Sequence, residues 1–332
     1  MKRLLLKLLY VFAYHIGMFR AFRLLQGRRQ VIVTYHNVIR DKLFDATLPH
    51  LGVSCRESSY VKQLSIIKST FTVTTEIGVL GSCIVTFDDG YKNNIEIAAR
   101  HLNEKQIPGL FFVPACYFEG QSLLWVDELL MWTSYVPAGT YTVFGVNFLI
   151  TQSNETRRHL WTHIYRTLLS NYAECNQIMD ELCQQYSLGQ LKDLIDRDMY
   201  RLRFEGMKPS QLETLKAMGH GLGCHSFKHD ILAKLTNDQL ENDFKKCEFH
   251  SGQYNSRVYS YPFGGEAEVS AEVVNACKKH NYTAAVLNYS PDTEDDFSIG
   301  RISLDDLNDK YFIYARLCGF EHFIKKSLRA IL

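Results

Sequence analysis

The sequence predicts an α/β fold built on a parallel sheet or a (β/α) barrel. Short β-branched apolar runs alternate with helical stretches along most of the chain from residue 31, the pattern of repeated β-α units. The polar residues of chemical interest fall at the ends of separate candidate strands, where such folds build their sites. At 332 residues and 46% apolar content the chain can bury a sizeable core, as one large domain with an insertion or as two smaller ones.

The N-terminus opens with Lys2, Arg3 and a leucine-rich run. Lys7 interrupts that run, and His15 and Arg20 end it early. The uncharged stretch from residue 8 to 14 is too short to span a bilayer, and no small-residue cleavage pattern follows. Residues 1–30 read as a basic amphipathic helix extending to about Leu25, with Lys2, Arg3, Lys7, Arg20, Arg23, Arg28 and Arg29 supplying charge. Such a helix can lie on an anionic membrane surface or pack on the outside of the fold.

Val31-Ile32-Val33-Thr34-Tyr35 reads as a strand ending at His36. Residues 59–69 have helical spacing, Phe71-Thr72-Val73-Thr74 reads as a second strand, and residues 83–87 as a third that runs into Asp88-Asp89. A helix over 93–105 is broken at Ile107-Pro108-Gly109, before the strand Leu110-Phe111-Phe112-Val113. A short apolar run ending near Cys224 precedes His225. Thr236 then caps a helix with Gln239 at the capping-box position, followed by strand 257–261, helix 266–280 and strand 283–287. Residues 118–208 break the alternation and read as an inserted, mostly helical subdomain. It holds Trp125, Trp132 and Trp161, read as core aromatics that could alternatively face a sugar. Asp127 and Glu128 read as a solvated helix face or as groups reaching a substrate.

Asp88 and Asp89 are the most informative pair. Adjacent carboxylates at the end of a buried strand repel and lose solvation, so a fold must compensate them. A divalent metal is the simplest compensation. One carboxylate with His225 and His229 would supply three ligands and leave a position open for water.

Thr86-Phe87-Asp88-Asp89-Gly90-Tyr91, the HSxxH at residues 225–229 and Tyr261-Pro262-Phe263-Gly264 together resemble the first three motifs of the polysaccharide deacetylases of carbohydrate esterase family 4, the nodulation chitooligosaccharide deacetylase homology domain. The resemblance covers residues 31–304 and implies a distorted (β/α)7-type barrel with a helical insertion, followed by a helical tail over 305–332. It implies Asp89, His225 and His229 as metal ligands, zinc being the usual ion, and Asp88 as the catalytic base. It also implies Tyr91, Tyr261, Pro262 and Phe263 as substrate contacts, with the oxyanion-binding amide near Tyr261. The third motif's usual arginine is replaced by Ser260, and Arg301 is the candidate substitute. The usual C-terminal motif with its histidine is missing. Val33-Thr34-Tyr35-His36-Asn37-Val38 is similar to the N-terminal motif of the biofilm poly-N-acetylglucosamine deacetylases, which implies His36 as the general acid. Asn37 or a nearby carboxylate is expected to orient its ring.

The formal charge of +1 gives no global reason to expect nucleic acid. Nine scattered cysteines without a CxxC pair read as free thiols of a reducing compartment. The remaining histidines (101, 159, 163, 250 and 280) read as surface or packing residues, and His220 as a turn residue. The expected function is metal-dependent N-deacetylation of an amino sugar, in a bacterial surface glycan or its lipid-linked oligosaccharide precursor. O-deacetylation, N-deformylation or a non-catalytic glycan-binding barrel are the alternatives. The expected location is cytoplasmic or peripheral at the inner membrane face.

Overall fold

The computed structural model describes residues 2–25, 29–45, 48, 53–172, 175–291 and 293–324. Arg28, the Cys175 side chain and residues 325–332 of the expected tail lie outside the described residues. The strands are β1 (Val31–Tyr35), β2 (Asn37–Ile39), β3 (Ser54–Arg56), β4 (Thr72–Val73), β5 (Ser82–Phe87), β6 (Leu110–Val113), β7 (Gly139–Val143), β8 (Val146–Ile150), β9 (Gly221–Cys224), β10 (Val258–Ser260), β11 (Ala284–Val286) and β12 (Ile302–Ser303). The helices in chain order are α1 (Lys2–His15), α2 (Met18–Leu25), α3 (Glu57–Thr70), α4 (Arg100–Glu104), α5 (Trp125–Tyr135), α6 (Asn154–Ser170), α7 (Cys175–Gln185), α8 (Leu188–Leu194), α9 (Arg197–Arg203), α10 (Pro209–Ala217), α11 (Asn237–Phe249), α12 (Ala271–Lys279) and α13 (Lys310–Leu317).

Seven strands follow one another in the parallel order β11-β10-β9-β6-β5-β1-β12, with β4 attached to β5 off that path. The sheet curls into the barrel-type arrangement the sequence predicts. Its two ends meet through residues 299–303: Ile299 bridges Val286 in β11, while β12 pairs with β1. Strand periodicity decides what lies inside. Ile32, Ile84, Leu110, Phe112, Val258, Ala284 and Val286 form one buried cluster on the inner face. Their neighbours Val33, Val85, Phe111, Leu222, Tyr259 and Ala285 pack outward under the helices. Each large apolar side chain so buried stabilises the fold by about 1.5–3 kcal/mol. Cys83 and Cys224 occupy fully buried strand positions, as small hydrophobes.

The same two-residue period continues to the strand ends. From Ile32 it reaches Thr34 and His36, and from Ile84 it reaches Thr86 and Asp88. Thr34 pairs with Thr86 and Tyr35 with Phe87, so His36 and Asp88 leave the barrel side by side, on its inner face.

Three local differences from the sequence reading have physical causes. The N-terminal helix is two helices, bent by 78° at the break between α1 and α2, where Gly17 takes φ 74. The helix after the carboxylates begins with a π-helical stretch, Asn94–Ala99, before α4, because Asn93 and Asn94 bond across to the β1–β2 segment. The insertion between β6 and β9 also holds the antiparallel hairpin β7–β8, closed by Phe144 and Gly145, both at positive φ. The insertion's helices share a second core around Trp132, Leu160, Ile164 and Leu182. Trp132 is fully buried there, and its indole N–H donates to the carbonyls of Leu182 and Tyr186. Thr236 and Gln239 form the expected capping box of α11.

His220 is a buried anchor rather than a turn residue. Its Nδ1 accepts the backbone N–H of Gly109 at 3.1 Å, and burial lowers its pKa to about 4. Folding therefore favours the neutral ring, and this contribution is complete above the unfolded value near 6.5. It is lost as pH falls from there toward 4, and discounted for partial solvent access it amounts to about 2 kcal/mol. His220→Gln should accordingly flatten the fall in denaturant midpoint between pH 6.5 and 4.5; a fall as steep as in the wild type would contradict the assignment.

Candidate functional site

Asp88 and Asp89 follow β5 directly, and the chain reverses there through two left-handed residues, Asp89 at φ 67 and Gly90 at φ 63. A Cβ on Gly90 would lie 3.0 Å from Val113 Cγ1, so the turn is both strained and crowded. His225 follows β9, with Ser226 at φ 58 and His229 at φ 65. Positive φ at three non-glycine residues costs on the order of 1–3 kcal/mol each and persists only where the surroundings enforce it. Here it brings Asp89, His225 and His229 together. The Nε2 atoms of both histidines lie 3.2 Å from Asp89 Oδ1, and the three side chains are the group among the described residues able to hold a metal ion.

The donor set fits a cation. Asp89 Oδ1 is buried and makes no hydrogen bond despite its two imidazole neighbours. His225 Nδ1 lies 2.7 Å from the Ser260 carbonyl; a carbonyl can only accept, so Nδ1 carries the proton and Nε2 presents a bare lone pair. Ligands about 2.0–2.1 Å from a tetrahedral ion are themselves about 3.3 Å apart, close to the spacing seen. Burial pushes the Asp89 carboxyl up, but imidazoles that carry protons toward it outweigh that effect and hold it well below the usual range; a bound cation would stand in place of those protons.

Asp88 is compensated differently. Arg301, 2% exposed, grips it with both arms: Nη1 to Oδ1 at 2.8 Å and Nη2 to Oδ2 at 2.5 Å. The guanidinium is fixed in turn by Nε–H to the Leu287 carbonyl and by contacts to Thr86 and Ser260 hydroxyls. Burial raises Asp88, yet Arg301, with His225 and His36, outweighs it and keeps the pKa below the ordinary value. Ser260, the residue in place of the motif's arginine, leaves room for this guanidinium to arrive from the segment that closes the barrel.

His36 Nε2 lies 3.8 Å from Asp88 Oδ2, and its side chain is 16% exposed against 1% for Asp88; it is the more accessible of the two. Asn37 does not orient the ring. Its Oδ1 accepts from Asn93 at 2.6 Å, while Asn94 holds the His36 carbonyl at 2.8 Å. Three of the expected substrate contacts also turn inward. Tyr91 is 2% exposed and donates to Asp127. Tyr261 is 1% exposed; its hydroxyl donates to the Phe297 carbonyl and its amide to Val286. Pro262 is buried. Phe263 remains partly exposed, its ring 4.7 Å from that of His229. Trp125 and Tyr165 from the insertion lie near Phe263, and the Trp125 indole donates to the His229 carbonyl at 3.0 Å.

The residues missed by sequence reasoning are the buried ones. Asp127, far from a solvated helix face, is fully buried and pairs with Arg203 at 2.9 Å. Burial raises its pKa to about 6 against the pull of Arg203. Its Oδ1 also receives the Tyr91 hydroxyl, so the insertion reaches the carboxylate turn from beneath. Backbone bonds from Met207 to Gly90 and from Lys92 to Glu205 complete the link. A Cβ on Gly206 would lie 2.2 Å from Tyr117 Cζ, so this crossing needs glycine. No spacing announces a pair 76 residues apart. His101, His250 and His280 contact glutamate carboxylates, away from the site.

The chain matches the polysaccharide deacetylase family over residues 141–285, under half its length. That span takes in His225, His229 and the 261–264 turn but not the paired aspartates. The fold is similar to that of the Streptococcus pyogenes deacetylase PplD, solved in complex with acetate, at TM-score 0.53 and 11% identity. The similarity covers 87% of this chain and 98% of that one. A de-N-acetylase from Aggregatibacter actinomycetemcomitans gives TM-score 0.50 at 12% identity, covering 86% and 98%. No curated protein matches. The resemblance read from the three motifs stands, and the chain is similar to the polysaccharide deacetylases in family and fold.

Arg203→Met would leave Asp127 buried without its partner and should lower unfolding free energy by about 3–5 kcal/mol. Adding Asp127→Leu should restore much of that stability while metal affinity, read by calorimetric titration, stays weakened. Equal affinity in the double variant and wild type would show that the pair does not hold the carboxylate turn.

Proposed function

We propose that this protein is a divalent-metal-dependent amidohydrolase that removes the N-acetyl group from an amino sugar of a surface glycan or its lipid-linked precursor. The observation that carries the reading is the separate compensation of two adjacent carboxylates. Asp89 faces the Nε2 atoms of two imidazoles, while Asp88 is locked by Arg301 beside His36. Zinc suits the two-nitrogen, one-oxygen donor set of Asp89, His225 and His229. When bound, the ion would polarise the acetyl carbonyl and acidify a water.

The chain's own groups do the proton work. Asp88, kept ionised and aimed by Arg301, accepts the proton of the attacking water. The water oxygen bonds to the acetyl carbon, the C–N bond breaks, and the departing nitrogen must gain a proton for acetate and free amine to result. His36 stands where it can deliver that proton. Burial outweighs the nearby Asp89 and Asp88 carboxylates and holds its pKa below the ordinary value. The ring is therefore mostly neutral near pH 7, and its proton is acquired during turnover, with Asp88 the adjacent donor. Phe263, with Trp125 and Tyr165, offers an aromatic wall for a sugar ring. The eight cysteines described are all free, which supports a reducing, cytoplasmic location, with the substrate met at the inner membrane face.

Chelation should abolish hydrolysis of N-acetylated amino sugars, and zinc should restore it. Asp88→Asn should keep metal occupancy near wild type while lowering turnover about 10²–10⁴-fold. Turnover unchanged in that variant would remove Asp88 as the base.

His36→Ala should slow amide hydrolysis by a similar order yet leave an activated acetate ester, whose leaving group needs no proton, nearly unaffected. Equal losses on both substrates would make His36 a structural residue and send the search for the acid elsewhere.

A further inference from the structure

One helix face far from the catalytic groups is unexplained by the fold. Successive residues of α1 step about 100° around its axis. Leu6, Tyr10, Ala13 and Tyr14 share one side and pack against α13 and Phe19, with Tyr10 4.9 Å from the Phe312 ring and Lys7 paired to Asp309 at 2.8 Å. The opposite side carries Leu4, Leu5, Leu8, Leu9, Phe12 and Ile16, which are 38–63% exposed. The helix thus has apolar residues on two opposite sides, with Lys7 between them, and only one of those sides is covered. Leu24 and Leu25 of α2 extend the exposed apolar surface past the bend, at 51% and 85% exposed.

We infer that this face docks on an anionic phospholipid bilayer. Charge selects that occupant: the first acidic residue of the sequence is Asp41, whereas Arg3, Arg20 and Arg29 are all exposed. A 14-residue helix is about 21 Å long, short of the roughly 30 Å hydrocarbon core. No single helix among the described residues is long and apolar enough to cross a membrane; α1 and α2 suffice together only by length and composition, and they are bent by 78° with one side of α1 packed on α13. The helix lies in the interface, its leucines among the acyl chains, with the exposed arginines of the N-terminal segment reaching the phosphates, while its other side stays packed on the barrel.

Sedimentation of the full-length protein with vesicles tests this. Binding is expected to vesicles of phosphatidylcholine with one-third phosphatidylglycerol, and far less to phosphatidylcholine alone or at high salt. The variant Leu5→Gln, Leu8→Gln, Phe12→Gln should lose about ten-fold or more in partitioning. Its thermal midpoint and its hydrolysis of a soluble substrate should stay unchanged, because these side chains touch no core. Arg3→Gln with Arg20→Gln should weaken binding and blunt its salt dependence. No binding to anionic vesicles, or equal binding by the triple variant, overturns the inference. So does light scattering that shows a dimer in the wild type and a monomer in the triple variant without vesicle binding, since a second copy would then cover the stripe.

Discussion

Two ionised carboxylates on consecutive residues, both at most 5% exposed, are a severe electrostatic constraint, and much of the barrel mouth is arranged to meet it. Consecutive residues of a strand point to opposite sides, so Asp88 and Asp89 cannot share a partner if the strand simply continues. The left-handed turn at Asp89 sends the second carboxylate toward the two histidines, while Asp88 keeps the inward direction inherited from Ile84 and Thr86. Each then meets a different cationic or lone-pair environment. One is held by a planar guanidinium fork with hydrogen bonds on both oxygens. The other keeps an oxygen without hydrogen bonds.

The division explains why Arg301 serves where the motif's arginine is missing. A guanidinium matched to a carboxylate does not have to come from a particular strand; it must arrive in the plane of both oxygens with its remaining N–H groups occupied. Leu287, Thr86 and Ser260 take those groups. A serine at 260 is small enough to permit the approach, and its carbonyl fixes the tautomer of His225. One residue thereby serves both halves of the site.

Most of the barrel was legible because parallel strands carry a local signature: apolar runs of four to six residues, each ending on a polar or turn residue. The cluster of Asp89, His225 and His229 was legible because two carboxylates and an HSxxH have few bland explanations at strand ends. What escaped was set by tertiary contact. Asp127 sits in a helix whose composition suits either solvent or core, and only Arg203, supplied by the far end of the insertion, makes its burial possible. Tyr91 and Tyr261 carry motif positions facing the mouth in sequence, yet their hydroxyls found acceptors inside the protein. The hairpin in the insertion was hidden by the helical runs on either side of it. The covered and uncovered sides of α1 could not be told apart from periodicity, because both are apolar.

Arg301 lies 213 residues after Asp88, in the segment that joins the two ends of the sheet. A polypeptide made from its N-terminus exposes Asp88 to the cell long before its counter-charge has been synthesised. Until then the inner face of β5 cannot be dried without stranding a carboxylate, so the early strands remain an open, hydrated edge and the large loop must close before the mouth can assemble. The strand that seals the barrel and the charge that pairs with Asp88 therefore arrive together. A C-terminally clipped chain would carry the two imidazoles and both aspartates and still leave Asp88 without the guanidinium that holds both of its oxygens.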